Sequence, residues 1–172
     1  MMTFGKAILT DSLRISVLLK TVYIQTYATE GVTFEFANFL NKRFSVEHIE
    51  STITKSPDQL LIAYYNLNPI GVAEIIYDKI CPIKNIMAPE LSKLYILERF
   101  YGKGVGYGLM KEVESLVKVS GHKHLWLEVY SQNARAITFY ERQGYSSIGK
   151  VDFPMENNSY INDVMIKNLF EN

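Results

Sequence analysis

The stretch ERFYGKGVGYGLM, Glu98 to Met110, decides the reading of this chain. Glycine stands at every second position from Gly102 to Gly108, with Lys103 among them. A β-rich run, LSKLYIL (Leu91–Leu97), leads into it. Helical spacing follows, with Val105, Leu109, Val113, Leu116 and Val117 on one face and Gly121 at the C′ position. Glycine adopts backbone angles closed to other residues and lets main chain approach a ligand closely. Amides at a helix N-terminus lack partners and carry partial positive charge, which suits an anion. A strand ending at Leu97, glycines from Gly102 and a helix from about Gly104 therefore assemble an anion nest. The same spacing also fits a bare turn that lets a helix pack tightly on a strand.

Neither of the two best-known phosphate loops fits. A P-loop ends Gly-Lys-Ser/Thr, but Gly102-Lys103 is followed by Gly104. The dinucleotide fingerprint needs its third glycine three residues after the second. Counted from Gly102 and Gly104 that position is Tyr107, and from Gly104 and Gly106 it is Leu109.

Upstream, TFGKAIL (Thr3–Leu9) reads as a first strand. A helix capped at Thr10 or Asp11 follows, with Leu13, Val17 and Val22 at helical spacing. VTFEFANFLNKRF and SVEHIESTITK read as two short helices, the second opened by Ser45 and closed before Pro57. QLLIAYY and IGVAEIIY form a hairpin around the turn Asn66–Pro69, and Asp78–Pro89 reads as a loop. Downstream, HLWLEVY (His124–Tyr130) is apolar on both faces, NARAITFYERQ is a compact helix ending at Gly144, and YSSIGKVDF and SYINDVMIKNL are closing strands. The order is that of a mixed α/β layer fold on one sheet.

The chain has 172 residues, enough for one domain over 1–172, with no linker or repeat to mark a boundary. Eighteen basic and eighteen acidic side chains cancel, which argues against a nucleic-acid partner. No apolar run approaches the roughly 20 residues of a membrane span, and the N-terminus lacks a signal-peptide pattern. The lone cysteine, Cys81, cannot form an internal disulfide, so a cytoplasmic setting is expected. Cys81 has no histidine near it in sequence to activate it as a nucleophile. His48, His122 and His124 show no metal-ligand spacing, so no metal is expected. Trp126 reads as core.

A second motif stands some thirty residues on: NARAITFYERQGY, Asn133 to Tyr145. Together the two segments resemble the GNAT superfamily of N-acetyltransferases. That family's diphosphate loop has the form Gln/Arg-x-x-Gly-x-Gly/Ala at a helix start, and YGKGVG (Tyr101–Gly106) aligns with it, Tyr101 replacing the usual Gln/Arg. Its later helix has the form Asn-x-x-Ala-x-x-Phe-Tyr-x-x-x-Gly-Phe, matched by Asn133, Ala136, Phe139, Tyr140, Gly144 and Tyr145. The early helices, the SKLYIL strand and the tail look like the PaiA-type polyamine N-acetyltransferases.

The resemblance implies a GNAT fold, a single mixed central sheet flanked by helices on both faces, and acetyl-CoA as cosubstrate. CoA is expected in a split between the strands Leu91–Leu97 and His124–Tyr130. Its pantetheine arm would pair with the backbone of Leu94, Tyr95 and Ile96, and its diphosphate would sit on Tyr101, Gly102, Lys103, Gly104, Val105 and Gly106. Tyr140 is the implied general acid, because a phenol (pKa ~10) holds its proton at neutrality and a departing thiolate (~8.5) needs one. The alternative for Tyr140 is an aromatic packed on the sheet, although Phe139 is the better core candidate. Asn133 can cap its helix or bond the pantetheine, and Arg135 and Arg142 either reach phosphates or are solvated.

A primary amine arrives protonated, so a base is also needed. Glu74 and Glu128 stand in apolar strands, where an unpaired carboxylate is costly. Each can take that proton, bind a cationic substrate, or be a satisfied structural carboxylate. Glu30 and Glu35, on helices that form the acceptor side in the family, can attract a polyamine. The expected activity is direct acetyl transfer to a small-molecule amine, spermidine or spermine, with a homodimer as an allowed assembly. The alternatives are a peptide or other amine acceptor, or a CoA-binding regulator without catalysis.

Overall fold

The computed structural model describes residues 1–29, 31–154 and 159–171. The chain divides into two compact units, Met1–Glu74 with Lys93–Val113, and Ile75–Ser92 with Glu114–Asn172.

In the first unit, strand β1 (Met2–Lys6) pairs antiparallel with β2 (Leu60–Tyr65), from Met2 opposite Tyr65 to Lys6 opposite Leu61. β2 pairs in turn with β3 (Asn68–Ile76), from Leu60 opposite Glu74 to Tyr65 opposite Asn68. Their turn is tighter than the expected Asn66–Pro69. Only Asn66 and Leu67 form it, both at positive φ (48° and 65°), as a two-residue hairpin loop demands. Pro69 is absorbed into β3 next to a register shift at Ala63/Tyr64, a place where a missing N–H is tolerated.

Helix α1 (Ser12–Tyr27) buries Ile15, Leu18, Leu19, Val22 and Tyr23. The expected stripe through Leu13 and Val17 is therefore wrong: they are 63% and 56% exposed. Two apolar rows run along this helix, and the one at i, i+3, i+4, i+7, i+8 is wider and carries an aromatic. Asp11 does not cap α1 with its side chain. Buried Asp11 instead accepts hydrogen bonds from Arg14 and from the Tyr64 hydroxyl. Helix α2 (Phe34–Arg43) starts two residues into the expected stretch because the Thr33 hydroxyl caps it, accepting from the Phe36 amide, whereas α3 (Val46–Lys55) begins where expected, the Ser45 hydroxyl accepting from the His48 amide. Leu40, Phe44, Ile49 and Ile53 join the α1 stripe and the inner residues of β2 and β3 in one core.

In the second unit, the segment Asp78–Pro89 is not a plain loop. It folds into a miniature hairpin, β4 (Ile80–Cys81) against β5 (Ile86–Met87). Two-residue strands carry no readable alternation, and the reversal depends on Asn85 in the left-handed region, its amide donating to the Cys81 carbonyl. Strand β6 (Glu90–Ile96) begins in this unit and pairs in parallel with β7 (His124–Tyr130) at Glu90 and Trp126. β7 runs antiparallel to β9 (Ser159–Asn168), which is antiparallel to β8 (Ser146–Pro154). Trp126 is core, as expected, packed with Cys81, Ala88, Val164 and Ile166, and its indole N–H donates to the Ala88 carbonyl at 2.9 Å.

The fold class is the expected mixed α/β, with the β4–β5 ladder as an addition. Among the described residues no helix is long and apolar enough to cross a membrane. Glu30 lies outside the described residues.

Candidate active site

In the first unit β6 delivers the chain to the glycine stretch. Leu94, Tyr95 and Ile96 are half-buried on that strand, and the Leu97 amide is anchored on the Ile70 carbonyl at 2.9 Å. A single 3₁₀ turn, Glu98–Phe100, follows. Tyr101 is half-buried, while Gly102, Lys103 and Gly104 are exposed. Helix α4 (Val105–Val119) starts directly behind them, its ladder opening with the Gly108 amide on the Gly104 carbonyl.

Gly102 and Gly104 sit at φ +71° and +80°, where only glycine is comfortable, and a Cβ on either would meet nothing within 4 Å. The turn therefore stands open in front of the first amides of α4, which have no partner within the helix. The Val105 side chain is buried and plugs the start of the helix into the core. Gly108 has a different task. A Cβ there would lie 2.2 Å from the Phe4 ring, so it permits close contact between α4 and β1. The close-packing reading holds at Gly108, while Gly102 and Gly104 form the open turn that an anion nest requires. Just before the turn an open cavity of about 490 Å³ is lined by Gln25, Leu97, Glu98, Arg99 and Phe100.

Glu74, on β3, is 4% exposed and well paired. Lys93 on β6 forms an ion pair with it, Gln59 donates to it at 3.2 Å, and Arg43 lies 3.8 Å away. Burial pushes its pKa up, but Lys93, then Arg43 and Gln59, pull harder, and the carboxyl is held below its usual range. A carboxylate so held is a weak proton acceptor. Lys93→Met should leave a buried charge poorly compensated and lower stability by about 3 kcal/mol, read by denaturant unfolding. The pH dependence has a definite sign. The stabilisation is present above the unfolded carboxyl's pKa and disappears as pH falls through the lower folded value. Glu74→Gln should flatten that acid limb. Glu35, on α2, is half-buried.

In the second unit, helix α5 (Ala134–Arg142) carries the other motif. Asn133 caps it, its Oδ1 accepting from the Ala136 amide at 3.1 Å. Tyr140 is 9% exposed and Phe139 half-buried, so of this adjacent pair it is the tyrosine that lies deeper. Their rings meet edge to face at 5.3 Å. Arg135 and Arg142 are exposed, the latter in the last turn, where a cation complements the helix dipole. Glu128, on β7, is half-buried and accepts from Asn162 at 3.2 Å. Cys81 is fully buried. Among the described residues no group of three or more potential metal ligands comes together.

A family model described as an acetyltransferase (GNAT) domain matches residues 23–161. The chain belongs to this GNAT acetyltransferase family, and it is an acyltransferase enzyme. The match takes in both glycine turn and α5. An uncharacterized N-acetyltransferase of Mycobacterium tuberculosis is 27% identical to this acetyltransferase over 133 residues, covering 77% of this chain and 81% of its own. The spermine/spermidine N(1)-acetyltransferase of Bacillus subtilis is 32% identical over 80 residues, covering 46% of this chain and 49% of its own. Among solved structures, the PaiA N-acetyltransferase of Thermoplasma acidophilum in complex with coenzyme A has a TM-score of 0.73 and 21% identity, over 98% of this chain and 99% of that one. At that identity the likeness is one of fold.

Proposed function

We propose that this enzyme transfers the acetyl group of acetyl-CoA to a primary amine of spermidine or spermine, in the cytoplasm and as one domain over the whole chain. The observation that carries the cosubstrate reading is the pair of left-handed glycines, Gly102 and Gly104, opening the start of α4 onto free space. Backbone amides from Gly102 to Gly106 take the CoA diphosphate, with Tyr101 and Lys103 beside them. The backbone of Leu94, Tyr95 and Ile96 takes the pantetheine, with Asn133 as a second contact, and Arg135 and Arg142 serve the phosphates.

The chemistry is a direct displacement. The acceptor arrives as an ammonium and gives one proton to solvent or to a carboxylate. Its nitrogen attacks the thioester carbon, the C–N bond forms and the C–S bond breaks. Tyr140 protonates the departing sulfur, and the proton shed by the new amide nitrogen restores the phenol through solvent. Glu128 or Glu35 meets the acceptor's charge, Glu74 being neutralised by Lys93 and Arg43. The name of the B. subtilis relative supports a polyamine acceptor.

Thiol release from acetyl-CoA, measured against a panel of amines, tests the acceptor. Saturable turnover with spermidine or spermine, well above that with N-terminal peptides or monoamines, is expected. Turnover with peptides alone would move the acceptor to a protein terminus, and CoA binding without turnover on any amine would leave a regulator.

A further inference from the structure

Where the family's second motif ends Gly-Phe, this chain ends Gly144-Tyr145, and the added hydroxyl is not at the surface. Tyr145 is 3% exposed. Its hydroxyl donates to Glu114 of α4 at 3.2 Å. Lys167, on β9, donates to both oxygens of the same carboxylate at 2.9 Å, and its ammonium stands 5.7 Å from the centre of the Tyr145 ring. Burial, and then the Glu114 charge, push the Tyr145 hydroxyl pKa up, so it remains a donor. The other side of Tyr145 faces α5. Its amide donates to the Tyr140 carbonyl at 3.1 Å, and its ring meets the Tyr140 ring edge to face at 6.0 Å.

We infer that Tyr145, anchored by Glu114 and Lys167, is a positioning residue that fixes the orientation of the Tyr140 ring. Resting on the reading of Tyr140 as general acid, the inference assigns the buried hydroxyl a catalytic consequence. Three elements converge on Tyr145: α4 through Glu114, β9 through Lys167, and α5 through the Tyr140 carbonyl that accepts from the Tyr145 amide. The anchor holds Tyr145 against rotation, and the edge contact passes that constraint to Tyr140. General-acid transfer depends steeply on alignment, whereas cosubstrate binding depends on other groups.

The experiment is a double-mutant cycle in the full-length enzyme. Tyr145→Phe keeps the ring and removes only the anchor. It should lower kcat about tenfold, with KM for acetyl-CoA and for the amine within about twofold. In a Tyr140→Phe background the same substitution should change kcat little, because the group it positions has gone. Calorimetric CoA affinity and the melting temperature are measured on every variant. An equal factor in both backgrounds, or a drop in melting temperature with kcat unchanged, would overturn the inference. Tyr140→Phe with full activity would overturn the general-acid reading itself, so the two failures are told apart. Glu114→Gln, which loosens the anchor from its other end, should reproduce the Tyr145→Phe pattern.

Discussion

Tyr140→Phe should lower kcat roughly 100-fold, the usual range for losing a general acid, while the affinity for CoA shifts no more than about twofold. The substitution deletes one oxygen and leaves the ring. The edge contacts with Phe139 and Tyr145 persist, so the packing of α5 is preserved. A loss confined to kcat then reports on proton delivery to the departing sulfur and not on a collapsed helix. Donor chemistry supplies a second handle. If the phenol protonates the leaving thiolate, an acyl donor with a more acidic thiol needs less help, and the variant should recover part of its deficit with such a donor. An equal deficit with all donors, or full activity with acetyl-CoA, would remove the assignment.

The helix that carries Tyr140 was readable in sequence, but the surroundings of that residue were not. Local grammar was legible: a capping asparagine, a nine-residue helix and a terminal glycine specify α5 by neighbours within one or two turns. The same holds for the strand, glycines and helix around Gly104. What was illegible is what sequence distance hides. Glu74 carries no mark in sequence of the Lys93 and Arg43 that neutralise it. Gly108 looks like its neighbours, yet its reason for being bare is Phe4, at the far end of the chain. The anchor at Tyr145 comes from Glu114 and Lys167, neither of which belongs to a motif. On α1 the failure has another cause. Leu13 and Val17 form an apolar row that mimics a core stripe, and only packing decides which row faces inward.

Gly104→Val should raise the dissociation constant for CoA by about 30-fold, equivalent to about 2 kcal/mol, while the enzyme stays folded. Two effects combine. A β-branched residue at φ +80° is strained, which re-aims the amides that follow. Its side chain also projects into the space where the diphosphate is proposed to lie, since nothing of the described protein occupies that space within 4 Å of a Cβ. Strain alone is separable from occupancy, because α4 offers its own control. Gly121, beyond the helix's other end, has φ +84° and the same open surroundings. Gly121→Val should therefore lose comparable stability and leave CoA affinity unchanged, since a helix C-terminus presents carbonyls and partial negative charge to its solvent side. Equal loss of CoA affinity in both variants would mean that backbone strain, not the nest, sets binding. Unchanged affinity in Gly104→Val would mean that the diphosphate does not rest on these amides. The asymmetry between two similarly strained glycines on one helix is the signature that an anion site at its start requires.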